Sequence, residues 1–180
     1  MLEITLPATQ GWDESKEEFI YWGEITLKLE HSLVSISKWE SKWNKPFLVN
    51  NNKTDEELMD YIKCMTVTPN VDPTEYNRLT SKHITQIENY IKAPMTATTF
   101  RKDESSGGRG EIVTSELIYW WMINFNIPMK CENWHLNRLL TLVRVCNIKN
   151  SPPKKTNKRD IANRYAELNR IRRQKYGSKG

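Results

Sequence analysis

The sequence predicts an α+β fold, mainly α-helical, with a small N-terminal antiparallel β sheet. Three observations carry that expectation. Residues 2–30 alternate apolar and polar side chains, the period of a half-buried strand, whereas from Ser32 onward apolar residues recur every three or four positions. The bulkiest apolar residues then concentrate in 112–150, which reads as a central αα-hairpin: two apolar helices with a short connection between them.

In chain order, Leu2, Ile4 and Leu6 alternate with Glu3 and Thr5, and Ile25, Leu27 and Leu29 share one face of a later strand entered from Phe19-Ile20-Tyr21 through Gly23. Gln10 to Ser15 reads as a polar turn between them. A ribbon of this size needs support, so it should cover one side of the helical body. Ser32 opens a helix that carries Trp39 and Trp43 on one face and ends before Pro46. Asn50 to Asn52 reads as a loop. Thr54 and Glu57 then form a capping box, with Asp55 and Glu56 complementing the helix dipole, ahead of Leu58, Met59, Tyr61, Ile62 and Met65 at helical spacing.

Asp72-Pro73 starts a short helix through Tyr76 and Leu79, and Ser81 to Ile91 gives another, with Ile84, Ile87 and Ile91 on one face. Thr96 to Phe100 reads as a short strand and Arg101 to Gly110, rich in glycine and serine, as an exposed loop. The first hairpin helix carries Ile118, Trp120, Trp121, Met122 and Ile123 and stops at Ile127-Pro128; the second is capped at Glu132-Asn133 and carries Trp134, Leu136, Leu139, Leu140 and Val143. After a stiff Ser151-Pro152-Pro153 break, residues 154–180 resume as a basic helix. The organisation is therefore one globular domain over 1–150, with a β ribbon at 1–30 and a helical body at 31–150, plus a basic helical tail over 151–180.

The net charge of +5 conceals an asymmetry. Residues 151–180 hold ten basic and two acidic side chains, a net of +8, which leaves the first 150 residues at −3. No apolar run approaches membrane-span length and the N-terminal residues lack signal-peptide order, so a cytoplasmic protein without membrane contact is expected. Cys64, Cys131 and Cys146 cannot all pair and belong to no C-x-x-C, which predicts reduced thiols; the spacing of Cys131 and His135 admits a zinc site only in principle.

No nucleophile–base pair, metal-ligand spacing or phosphate loop is present. His31, His83 and His135 fall on different elements and read as structural, so no catalytic, cofactor-binding or metal-binding residue is assigned and the chain is not expected to be an enzyme. Of the seven tryptophans, Trp39, Trp43, Trp134 and one of Trp120 and Trp121 belong to the core by spacing, leaving Trp12 and Trp22 as surface anchors. In the tail, Ile161, Tyr165 and Leu168 make an apolar stripe beside Arg172 and Arg173, the expected partner-binding residues. Ten clustered positive charges also admit nucleic acid as a partner, less favoured because an apolar stripe inside a basic run suits a folded protein contact.

Three segments, His31-Ser32-Leu33-Val34-Ser35-Ile36-Ser37-Lys38-Trp39-Glu40-Ser41-Lys42-Trp43, Asp60-Tyr61-Ile62-Lys63-Cys64-Met65-Thr66 and Trp134-His135-Leu136-Asn137-Arg138-Leu139-Leu140-Thr141-Leu142, together with the Pro-Pro-Lys-Lys run and the Arg-rich finish, resemble the tail assembly chaperones of long-tailed bacteriophages. The resemblance runs nearly end to end and lies in sequence texture rather than in a catalytic motif. It implies a non-enzymatic protein of the infected host's cytoplasm that binds the tape-measure protein and tail-tube subunits during tail morphogenesis, needs no cofactor, admits a homo-oligomer and leaves before the virion is complete. The basic C-terminus departs from the acidic arm that a basic client would call for. Two alternatives stay open: a structural virion component of the head–tail junction or tail, and a small DNA-binding packaging protein.

Overall fold

The computed structural model describes residues 1–14, 17–49, 53–100, 111–151 and 158–177, without the side chains of 13, 158–161 and 164. The loops expected at 50–52 and 101–110, the Pro152-Pro153 break and the Ile161 side chain lie outside the described residues. Contacts divide the chain into two units, Met1–Asn147 and Ile148–Gly180.

The first unit opens with four strands in two antiparallel pairs. β1 (Leu2–Leu6) pairs with β4 (Ile25–Leu29), with Leu2 opposite Leu29 and Leu6 opposite Ile25. Inside that pair, β2 (Thr9–Asp13) pairs with β3 (Glu18–Trp22). The polar turn expected from Gln10 is thus largely a strand. The backbone of this polar segment finds its hydrogen-bond partners in β3, and Gly11 lets the Trp22 ring lie over it: a Cβ there would stand 2.5 Å from that ring. The alternation of β1 and β4 works as expected, with Ile4, Leu6, Leu27 and Leu29 buried. Arg78 ties both connections between the pairs to the 3₁₀ turn Pro73–Arg78, donating to the carbonyls of Pro7 and Gly23 and pairing with Glu75.

α1 (Leu33–Trp43) follows β4 directly. Ser32 is its N-cap, exchanging bonds with Ser35 in a capping box, and Asn44, in the left-handed region at φ 52°, ends it. Leu33, Ile36 and Trp39 are fully buried. This helix, rather than the expected αα-hairpin, is the hub of the body: it packs on α2 (Asp55–Met65), on α4 (Ser115–Asn124) and on the 3₁₀ turn Met129–Asn133. The α2 capping box between Thr54 and Glu57 forms as expected. Across the α1–α2 interface the Trp39 indole donates to the Glu57 carbonyl at 2.9 Å and the Trp43 indole to the Asp60 carboxylate at 2.9 Å. Glu40, buried, spans further: its carboxylate accepts the backbone N–H of Phe47 and that of Ser115, both at 2.8 Å, fixing the loop after α1 and the start of α4 together.

α3 (Ser81–Lys92) buries Ile87, and Tyr90 and Ile91 pack on the core. No strand forms over 96–100, where the backbone has no neighbouring strand to pair with among the described residues. α5 (Leu136–Asn150) begins later than the Glu132-Asn133 cap, because the chain between α4 and α5 makes a 3₁₀ turn and then a bridge to the start of α1: Ser32 pairs with His135, and the Leu136 N–H donates to the His31 carbonyl at 2.7 Å. That long-range pairing, not the local cap, sets where α5 starts.

The second unit contains α6 (Lys158–Tyr176), a basic helix as expected. Among the described residues no helix is long and apolar enough to cross a membrane.

Candidate partner-binding surfaces

Three surfaces present apolar side chains that the fold itself leaves uncovered. The first is on α6. Tyr165, Leu168 and Ile171 are 64%, 42% and 49% exposed, and Arg172 and Arg173 are exposed beside them. Tyr165 and Leu168, then Leu168 and Ile171, stand three apart and share a face. The expected stripe is therefore present at Tyr165 and Leu168 and extends to Ile171, which the i, i+4, i+7 reading from Ile161 passed over. No α6 side chain among the described ones is buried, and Glu167 pairs with Arg170 at 2.9 Å along its surface.

The second surface is on α4, whose composition is apolar all round. Such a helix is ordinarily buried on every side. Here Ile118 and Met122 are sealed in the core while Trp120 and Ile123, three apart on the opposite face, are 57% and 67% exposed. The choice left open between Trp120 and Trp121 is thereby resolved: Trp121 packs against the core, Trp120 does not. Trp12 is exposed as expected, in an edge-to-face pair with Phe19 at 4.9 Å on the β2–β3 hairpin, whereas Trp22 is half-buried over Gly11.

The third is a cleft of about 200 Å³ between α2 and α3. Ile62 and Ile87 form its buried floor, with Leu58, Met59, Ile84 and Ile91 as walls, and Asp55 and Glu88 stand at its edge. The α2 and α3 patterns named these residues, but sequence spacing alone did not show that the two apolar faces leave a gap.

Titratable groups also meet inside the body. His31 and His135, separated in sequence by most of the domain, lie with ring centroids 5.0 Å apart. His31 Nδ1 is 2.5 Å from the Tyr61 hydroxyl, which lies 3.3 Å from Ser35 Oγ, whose own hydroxyl donates to the Ser32 carbonyl at 2.8 Å. With His31 carrying its proton on Nδ1, every proton along this chain is used once. His135 Nε2 donates to the Tyr90 carbonyl at 3.0 Å while its Nδ1 accepts the Asn137 N–H at 3.3 Å, the pattern of a neutral ring. Burial, reinforced by the neighbouring His135, lowers the His31 pKa to about 3, and burial lowers that of His135. Burial also raises the Tyr61 hydroxyl above its ordinary range.

His31, Tyr61, Ser35 and His135 engage one another or nearby backbone groups through these atoms. They hold the starts of α1 and α5 together with the end of α3. Outside them, Tyr90 donates to Glu30 at 2.7 Å, and the same carboxylate pairs with the Met1 ammonium at 3.1 Å. Among the described residues no group of three His, Cys, Asp or Glu side chains is placed to hold a metal ion, and the three cysteines are free thiols. No protein-family model, curated protein or solved structure matches the chain.

Proposed function

We propose that this chain is a non-enzymatic bacteriophage tail assembly chaperone that binds the tape-measure protein and tail-tube subunits in the infected cell. The observation that carries the reading is the uncovered apolar surface on two helices, Trp120 and Ile123 on α4 and Tyr165, Leu168 and Ile171 on α6. A tape-measure protein is long and helical before assembly, and its apolar face needs transient cover. Amphipathic helices with polar rims give that cover by side-to-groove packing. Aromatic and leucine anchors supply most of the energy of such contacts, with arginines at the rim favouring encounter.

Co-expression tests it. The full chain is expected to keep a tape-measure protein soluble and to co-purify with it. Leu168→Asp should weaken that capture at least tenfold while leaving the unfolding transition of the body unchanged, since Leu168 is exposed and lies outside the core. Equal capture by the variant and the wild type would refute the role given to α6.

The clustered charge on α6 favours a second reading, DNA binding during packaging. Arg170, Arg172, Arg173 and Lys175 are exposed in its last two turns. That reading requires affinity for DNA that falls steeply with salt. Mature particles separate the chaperone reading from a structural virion role, because a departing chaperone is absent from them.

A further inference from the structure

Two features of this one chain are complementary. The cleft between α2 and α3 is apolar at its floor, with Ile62 and Ile87 buried and Leu58 40% exposed at its lip, and it is edged by acid: Asp55 at the start of α2 and Glu88 on α3. Glu56, exposed, adds a further negative charge in the same turn as Asp55. Lys92 pairs with Glu88 at 3.1 Å on the surface, a contact that solvent largely screens. α6 has the opposite character: a narrow apolar ridge of Tyr165, Leu168 and Ile171 flanked by Arg172, Arg173 and Lys175, all exposed.

We propose that the α2–α3 cleft receives α6 of a second copy of this chain, so that the protein self-associates head to tail. The inference requires no other protein, but it uses the same α6 ridge as the client reading, so a client and a second copy compete for that ridge. Leu168 and Ile171 fill the apolar cleft, and the arginines at the C-terminal end of α6 face the carboxylates at the start of α2. Such an interface is heterologous, each copy offering one cleft and one ridge. It closes into a dimer or small ring if the rotation permits and extends otherwise. The charge pairing steers the encounter and selects against a basic or neutral groove, while the apolar seat sets the lifetime.

Charge exchange tests the pairing with variants confined to exposed side chains. Sedimentation of the full chain should show concentration-dependent association, weakened by salt. Asp55→Lys with Glu88→Lys, and separately Arg172→Glu with Arg173→Glu, should each weaken self-association at least tenfold. Mixing the two variants should restore it, because the converted cleft of one now accepts the converted helix of the other. Leu58→Asp should act like either pair, with far-UV circular dichroism confirming that the helices are intact. A chain that is monomeric at all concentrations, an association insensitive to these substitutions, or a mixture that fails to reassociate would overturn the proposal.

Discussion

Lowering the pH from 7 to about 5 should cost this protein stability, and His31 should account for most of the loss. The ring is almost completely buried, its Nδ1 is committed to Tyr61, and His135 faces it at 5.0 Å, itself engaged with the Tyr90 carbonyl and the Asn137 amide. Glu30 holds Tyr90 and the Met1 ammonium beside this network. In the unfolded chain a histidine takes up a proton near pH 6.5, whereas the folded protein refuses it at His31 down to about pH 3. The unfolded state therefore binds more protons between those values, so the contribution is fully present above the unfolded pKa and is lost progressively as pH falls through 6.5 toward 3. Each pH unit is worth about 1.4 kcal/mol, which makes the loss about 2 kcal/mol at pH 5. His135 shifts in the same direction and adds to it. Asp60 and Glu57, whose pKa values are lowered, exact their own loss at more acidic pH. The measurement is urea unfolding followed by tryptophan fluorescence at both pH values, for the wild type and for His31→Asn. Asparagine places an amide group near the Nδ1 position and does not titrate. The variant is expected to be less stable at neutral pH yet to lose about 2 kcal/mol less than the wild type on acidification. An unchanged difference between the two pH values in the variant would refute the account.

Two further substitutions probe how the body is held. Glu40→Ala leaves the buried N–H groups of Phe47 and Ser115 without their shared acceptor and should destabilise the protein by about 2–5 kcal/mol, with Glu40→Gln intermediate because one oxygen remains, as read by denaturant midpoints. Thr54→Ala removes the side-chain acceptor for the Glu57 amide at the start of α2 and should cost about 1 kcal/mol in the same assay.

Local chemistry written over a few residues determined a good deal of this protein. The period of two in Leu2–Leu6 and Ile25–Leu29, the period of three to four after Ser32, the Thr54–Glu57 box and the Tyr165–Leu168 part of the α6 stripe each depend on neighbours within about one turn or one pleat, and each is present in the structure. Tertiary structure decided what depends on partners remote in sequence. β2 became a strand because β3 was there to pair with it, and 96–100 did not because no neighbouring strand is there among the described residues. α5 starts at Leu136 because residues around His135 pair with His31 and Ser32, overriding a nearer capping signal. The same pairing joins two histidines that read as unrelated. Which side of α4 faces solvent follows from how it settles on α1, and the acid-edged cleft between the apolar faces of α2 and α3 follows from where each helix docks, α2 on α1 and α3 on β1. Periodicity fixes which residues share a face, but a face has no address until another element covers it or leaves it bare.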